Sequence, residues 1–351
     1  MSTLVLGTMS GTSLDGIDIA LCRFSESGGQ WSYEFIDTKT VNYSPRWIEK
    51  LKSAPLLSGE NLMLLNNEYG RFNGEVILEF LKGKQIPELI ASHGHTIFHQ
   101  PENQFTFQLG NGASIAATTN ISTICDFRNL DVALNGQGAP LVPIGDKLLF
   151  GEYDYCLNIG GIANISFEQA ENRIAYDICP ANIILNSLAR QNGLSFDIDG
   201  QMGASGSVSK SLLNRLNRLP YFNQPWPKSL GREWIDREIT SRLESSDLAV
   251  EDQAATIYEH ITDQISKSTP NGGKLLITGG GAHNKFLIKR LRAKTSCTII
   301  LPDNSLIDYK EALIFAFLGV LASRGEINVY SSVTGSISNH IAGIVYRIEN
   351  N

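Results

Sequence analysis

An α/β fold built in two halves is the reading that this 351-residue sequence supports, and two observations carry it. Short β-rich runs joined by a glycine turn and followed by a helical stretch open the chain, and the same plan begins again near residue 155. The composition, 42% hydrophobic and 19% charged, supplies apolar material for substantial cores, and two compact domains suit this length better than one.

Residues 4–9 and 17–24 are β-rich runs separated by a small-residue loop, Ser10-Gly11-Thr12-Ser13-Leu14-Asp15-Gly16, and read as an N-terminal hairpin. Residues 31–40 alternate like a third strand. Residues 61–81 then place Leu62, Leu65, Tyr69, Phe72, Val76, Ile77 and Phe80 at helical spacing. Short strands are expected at 89–92, 106–109 and 121–125. The second cycle has strands at 155–159, 164–167 and 173–176, with Gly160-Gly161 at the turn and a helix from 182 to 190. Later, 274–278 is a strand entering Gly279-Gly280-Gly281, 284–291 a helix, 298–301 a strand and 310–321 a helix.

Two sheet-then-helix halves, each opened by a glycine turn between strands, form the layout of the actin and hexokinase ATPases, a two-domain, ribonuclease H-like fold in which nucleotide lies in the interdomain cleft. The domains are drawn at 1–125 and 126–335, with the tail 336–351 a candidate to complete the first.

A formal net charge of −7 and a pI near 5.5, without a basic run, argue against nucleic acid or anionic membrane as partners and for a small-molecule role. The first sixteen residues lack the basic start of an export signal, and no apolar run approaches a membrane span. The five cysteines, at 22, 125, 156, 179 and 297, form no CxxC pair, so neither a zinc site nor a disulfide framework is implied, and a cytoplasmic home is expected.

An ATP site needs backbone amides that can approach phosphate oxygens, and glycine turns supply them because no Cβ stands in the way. Three such turns occur: Gly11 to Asp18, Gly160-Gly161-Ile162-Ala163-Asn164, and Gly279-Gly280-Gly281. Asp15 and Asp18 flank the first, where carboxylates can bind magnesium directly or through water. The first two turns read equally as ordinary hairpin connections. The third follows a buried-looking strand, where successive glycines destabilise the fold unless something needs the space. Neither GxxxxGK[ST] nor a strand-borne GxGxxG with a downstream acid is present, which disfavours P-loop and Rossmann sites. Without a P-loop lysine, the phosphoryl charge falls to magnesium, amide dipoles and an arginine.

The run Gly7-Thr8-Met9-Ser10-Gly11-Thr12-Ser13-Leu14-Asp15-Gly16-Ile17-Asp18 resembles the phosphate-binding opening of the anhydro-N-acetylmuramic acid kinases almost residue for residue. Similarity continues through Ser92-His93-Gly94-His95-Thr96, Asp126-Phe127-Arg128, Gly136 to Pro143, Leu157 to Asn164, Pro227-Lys228-Ser229-Leu230-Gly231-Arg232-Glu233 and Ser332-Val333-Thr334-Gly335, covering nearly the whole chain. The resemblance implies an enzyme of cell-wall recycling. Such an enzyme opens the 1,6-anhydro ring of its sugar with water and phosphorylates the 6-hydroxyl from ATP and Mg2+.

Its base maps to Asp177, which otherwise reads as a cap for a helix beginning near Pro180. Glu311 matches a glutamate near substrate or magnesium, against the plain alternative of an exposed first-turn glutamate. Asp18 and Glu311 are the candidate metal ligands. Arg128 is expected to hold the muramic carboxylate by a paired hydrogen bond rather than join a surface ion pair. His93 and His95, with Thr96, are expected to line the sugar pocket; a metal site with His99 is the lesser reading, since no cysteine or carboxylate accompanies them. Trp226 and Trp234 read as core. A homodimer is the family expectation.

The match weakens near the expected sugar. The family's Asp-Thr-Gly-Pro-Gly-Asn is here Asp177-Ile178-Cys179-Pro180-Ala181-Asn182, His95 stands where glutamine is usual, Asn111 where aspartate is usual, and Asn135 where a glycine precedes Gly136. Two alternatives therefore stay open: a kinase of the same fold for another sugar or anhydrosugar, and a catalytically silent nucleotide-binding protein.

Overall fold

The structure, a computed structural model, describes residues 2–11 and 14–349. Thr12 and Ser13 of the first glycine turn lie outside the described residues. The chain forms two compact units, one of Met1–Leu149 with Tyr309–Asn351 and the other of Phe150–Asp308.

In the first unit, β1 (Ser2–Ser10), β2 (Gly16–Ser27) and β3 (Gln30–Asn42) form an antiparallel meander. β4 (Leu89–Gln100) pairs parallel with β1, and its far end takes up β5 (Phe105–Leu109) antiparallel. β6 (Thr123–Cys125) pairs parallel with β4, and the C-terminal strand Ile344–Tyr346 closes that edge antiparallel to β6. The order is therefore C-terminal strand, β6, β4, β1, β2, β3.

Leu4, Leu6, Ile17, Ile19 and Ile90 pack on the side of the helix Gly59–Leu81, with its Leu65, Tyr69, Ile77 and Phe80. That helix starts where Ser58 accepts the Asn61 amide, an N-cap that replaces a missing intrahelical partner. The opposite side carries the helix Asn304–Ser323, whose stretch from Ala312 to Leu321 is apolar all round and buried. It comes so close to β1 that a Cβ on Gly7 would sit 2.0 Å from the Ala312 carbonyl oxygen, while Gly319 rests on Ala91 and Phe317 meets Phe24 at 5.4 Å. These contacts explain why the boundaries drawn from sequence, at 125/126 and 335/336, both fall inside the first unit. Residues 309–335 are held by the first sheet, as are residues 126–149, whose Gly145 abuts Ile314 and whose Phe127 meets Phe315.

In the second unit, β7 (Tyr155–Ile159), β8 (Ile162–Gln169) and β9 (Asn172–Pro180) form another antiparallel meander. β10 (Gly273–Thr278) pairs parallel with β7, and β11 (Cys297–Ile300) parallel with β10. The order β11-β10-β7-β8-β9 repeats that of β6-β4-β1-β2-β3. Its core adds the helices Asn182–Gln191, Lys285–Arg292 and Val250–Ser268. The last escapes an apolar-periodicity reading because Gln253, Thr256, His260, Thr262 and Gln264 are buried in it. Thr256 accepts the Ser209 amide and His260 Nδ1 bonds Asn217, whereas His260 Nε2 meets no partner among the described residues. Trp234 packs partly buried on this core as expected, whereas Trp226 is 42% exposed.

Gly7→Ala is expected to destabilise the protein by about 3 kcal/mol or more, because backbone rather than a movable side chain blocks the new methyl. A shift of the denaturant midpoint to lower concentration, at unchanged slope, checks this.

Candidate functional site

The chemistry-bearing residues fall into one cluster in each unit. In the second, strand pairing sets Thr278 of β10 beside Asn158, Asn158 beside Asn164, and Asn164 beside Asp177, a polar row across four strands. The register of β8 with β9 then jumps to Ala163–Cys179 and leaves Ile178 as the extra residue of a bulge. Bulges re-aim side chains. Here Ile178 and Cys179 both join the core while Asp177 does not.

Asp177 lies inside β9, and the helix that follows is entered through Ala181 without a side-chain cap. The helix-cap alternative for Asp177 is therefore wrong: the strand runs on to Pro180. The Asp177 carboxylate instead accepts the Leu230 amide on Oδ2 at 2.9 Å, its own amide donates to the Lys228 carbonyl at 3.2 Å, and its carbonyl accepts the Tyr221 hydroxyl at 2.5 Å. The segment resembling the family at 227–233 thus wraps this aspartate. Desolvation pushes the carboxyl up to about 6, opposed by the Leu230 hydrogen bond. Among the described residues Oδ1 meets no hydrogen-bond donor.

The glycine turns separate into those the fold demands and those it does not. Gly279 has φ +80 and its Cβ would fall 2.4 Å from Asn158 Oδ1; a Cβ on Gly281 would fall 2.3 Å from Ile159. Fold geometry alone accounts for both. At Gly160, Gly161 and Gly280 a Cβ would find its nearest neighbours at 3.6, 3.7 and 3.8 Å, ordinary contact distances, and none has positive φ. Packing gives these three no reason to be glycine, so the space over their backbone is left for something else. The turns lie together: the Asn182 side chain donates to the Ile159 carbonyl and its backbone amide to the Gly160 carbonyl, while a Cβ on Gly280 would lie 3.8 Å from the same Asn182 side chain. Asn164, half-buried, stands beside them in the polar row.

In the first unit, the Gly11 carbonyl accepts the Leu14 amide and the Asp15 carbonyl accepts the Tyr43 amide, with Leu14 at φ +62. Asp15 is exposed, whereas Gly16 is packed under the Val41 carbonyl and Ile17 is a core residue, so these two serve the hairpin. Asp18 Oδ1 accepts the Thr40 hydroxyl at 2.6 Å. The helix carrying Glu311 starts at Asn304, not Lys310, so Glu311 stands about two turns in and half-buried rather than exposed in the first turn. Burial holds its carboxyl up; Arg128 draws it down and Asp18 raises it further. The next residue back, Lys310, is buried in an ion pair with Asp146 at 2.6 Å.

Arg128 Nε donates to His93 Nε2 at 2.9 Å and Nη1 donates to the Gly138 carbonyl at 2.6 Å. His93 Nδ1 meets the Gly94 carbonyl at 2.9 Å, so the ring is neutral, donating from Nδ1 and accepting on Nε2. Desolvation and the Arg128 charge both hold its proton affinity well below the ordinary imidazole value. Two of the five N–H donors of Arg128 are committed, which leaves its terminal Nη1/Nη2 edge, not the Nε edge, for a carboxylate. Burial brings the guanidinium down to about 10.

His93 and His95 do not share a side. Residues two apart on a strand normally face the same way, but Gly94 at φ +78 turns the chain over. His93 packs against Phe315 of the helix Asn304–Ser323, and His95 against Tyr69 of the helix Gly59–Leu81. The joint pocket wall expected for them is not formed. Thr96, half-buried, lies at the limit of reach of Gln108, 3.5 Å.

Asp131 went unnoticed in the sequence. Fully buried, it accepts the Gly138 amide and the Thr334 hydroxyl, both at 2.6 Å, and so fastens the 136–143 and 332–335 segments to the carbonyl that holds Arg128. The signal was there: it sits between two family-like stretches, Asp126-Phe127-Arg128 and Gly136 to Pro143.

The sheet order repeated in both units defines the class, an α/β protein of the actin and hexokinase type. The chain matches the family model for anhydro-N-acetylmuramic acid kinase over residues 3–348. It belongs to that family of phosphotransferases. Relatives of that name include one from Aliivibrio fischeri, 35% identical over 97% of this chain and 98% of its own. Another, from Pseudomonas syringae pv. syringae, is 32% identical over 99% and 100%. Among solved structures, a ROK family glucokinase from Streptomyces griseus is 10% identical and covers 90% of this chain and 99% of its own, with a TM-score of 0.42.

The raised Asp177 carboxyl has a stability consequence. Ionised above its unfolded pKa in the open chain but only above about 6 when folded, it costs nothing below about pH 4, an increasing amount between, and a constant amount above about 6. Asp177→Asn is expected to stabilise the protein by about 3 kcal/mol at pH 8 and by almost nothing at pH 3.5. Thermal melts across that range check it.

Proposed function

We propose that the protein uses ATP to convert 1,6-anhydro-N-acetylmuramic acid to its 6-phosphate with opening of the anhydro bridge, Asp177 serving as general base. The observation that carries this is a carboxylate kept partly desolvated near 6, gripped through one oxygen by Leu230 and open at the other. A base poised near working pH is what deprotonation of an attacking water requires. The water adds at the anomeric carbon, its proton passes to Asp177, and the bond to the 6-oxygen breaks. That oxygen then attacks the γ-phosphate, and ADP leaves.

The turn 11–18, the Gly160-Gly161 turn with Asn164, and Gly280 are the candidate amide donors to the nucleotide phosphates, supported by the space over the three unconstrained glycines. Gly279 and Gly281 shape that turn. Asp18 and Glu311 are the residues that would hold Mg2+: the Asp18 charge makes ionisation of Glu311 harder, a repulsion that a divalent cation would relieve. Mg2+ when bound would neutralise charge on the phosphates. The free edge of Arg128 suits the lactyl carboxylate, and neutral His93 fixes that arginine's orientation. A cytoplasmic location suits five buried free thiols; among the described residues no helix is long and apolar enough to cross a membrane. A homodimer remains the expectation for assembly.

Incubation of the purified protein with Mg-ATP and anhydro-N-acetylmuramic acid should give a product heavier by one water and one phosphoryl group. In 18O-water the label should enter with the added water. A product lacking the water refutes ring hydrolysis, and no phosphorylated product refutes the substrate. Asp177→Asn should lower kcat about a hundredfold or more with ATP binding nearly unchanged. In the wild type kcat/KM should rise with pH through about 6 and level above it, since the base must be ionised. Gly280→Ala should raise the KM for ATP while leaving the melting temperature near that of the wild type, whereas Gly279→Ala should lower the melting temperature.

A further inference from the structure

β9 is the outermost strand of the second sheet, and an outer edge offers backbone groups that no neighbouring strand pairs. At Asp177 both are nonetheless taken, the amide by the Lys228 carbonyl and the carbonyl by the Tyr221 hydroxyl. The stretch 221–230 thus stands in for a strand without a ladder of its own. Between Phe222 and Leu230 every residue but Lys228 is exposed. Its ammonium donates to the Tyr221 carbonyl at 3.2 Å and lies over the rings of Tyr221 and Tyr176, 4.8 and 5.4 Å from their centroids. Tyr176 immediately precedes Asp177 on β9. One cation therefore ties the end of the stretch both to its own start and to the strand beside the carboxylate.

We propose that Lys228 is a positioning residue for Asp177: its clamp on Tyr221 and Tyr176 fixes the stretch 221–230 so that the Leu230 N–H, two residues further on, points at Oδ2. Among the described residues no carboxylate pairs with this ammonium, and desolvation draws its proton affinity below the ordinary lysine value. A cation held at that cost by two aromatic faces and a carbonyl is placed for geometry, not as half of an ion pair. Burial raises the Asp177 carboxyl and the Leu230 hydrogen bond opposes the rise, so a slack stretch lets the carboxyl climb further above about 6. Tyr221 and Leu230 belong to the core and keep the stretch seated when the ammonium is gone, so Oδ2 loses its donor without gaining water. The hold on the carboxylate stands by itself; its effect on rate rests on Asp177 serving as base.

The test is 1H–15N NMR of the full-length protein from pH 5 to 8, following the Leu230 amide, whose shift reports ionisation of its acceptor. In the wild type a downfield move with a midpoint of about 6 is expected. Lys228→Arg, which keeps a cation able to stack on the rings, should titrate like the wild type. Lys228→Met, which keeps only the apolar stem, should show a midpoint higher by about half a pH unit to one, with a smaller excursion. In kinetics with Mg-ATP and anhydro-N-acetylmuramic acid, the acid limb of kcat/KM should move by the same amount in Lys228→Met alone, the KM for ATP holding. A merely structural lysine would lower the melting temperature of Lys228→Met and leave both midpoints in place, which overturns the positioning role. A Leu230 amide that fails to titrate in the wild type, or a midpoint that falls in Lys228→Met, overturns it too. A moved amide midpoint with an unmoved kinetic limb upholds the role of Lys228 and refutes Asp177 as the base.

Discussion

The close seat of the helix Asn304–Ser323 on β1 at Gly7 is the contact around which the first unit's chemistry is arranged. A helix backbone lying against a strand backbone leaves no room for side chains between them, so whatever adjoins Ala312 along the helix is placed with little slack. Glu311 thereby comes under the influence of Asp18 at the second strand and of Arg128 beyond the fourth. Lys310 is locked beside it against Asp146, a buried pair whose value is registry more than stability.

Both units manage buried polarity by giving it directional partners. In the first, Arg128 to neutral His93, Gly138 to Asp131 and Thr334 to Asp131 form one connected set. In the second, Asp177 is clasped on three backbone or side-chain atoms by the stretch from Tyr221 to Leu230. Desolvation raises the free energy of the ionised carboxylate there, and that same cost tunes it for proton transfer.

The strands were legible because the two meanders carry alternating or continuous apolar runs bounded by glycine turns, and the repeat of plan was visible in β1–β3 and β7–β9. Asp177 stood out by its sequence neighbours but its setting did not: the bulge at Ile178 is a one-residue event with no compositional mark. The separation of His93 from His95 turns on the φ of Gly94, which a sequence permits without announcing. The helix Val250–Ser268 was hidden because its buried face is partly polar, and the early start of the helix bearing Glu311 because the polar residues Asn304 and Ser305 and the acid Asp308 interrupt the apolar pattern. Asp131 needed the fold, since the groups it joins are some two hundred residues apart, as the Asp131–Thr334 bond shows.

The second unit is one uninterrupted stretch, whereas the first is written at both ends of the chain and its sheet is closed at one edge by Ile344–Tyr346. As the polypeptide leaves the ribosome, the central portion has all of its own strands while the amino-terminal portion still awaits the helix that fills one side of its sheet. Until residues 309–346 have been made, one side of the first sheet lacks its helix and the β6 edge lacks its neighbour, an edge open to stray pairing. That stretch therefore decides when the newborn chain ceases to be adhesive.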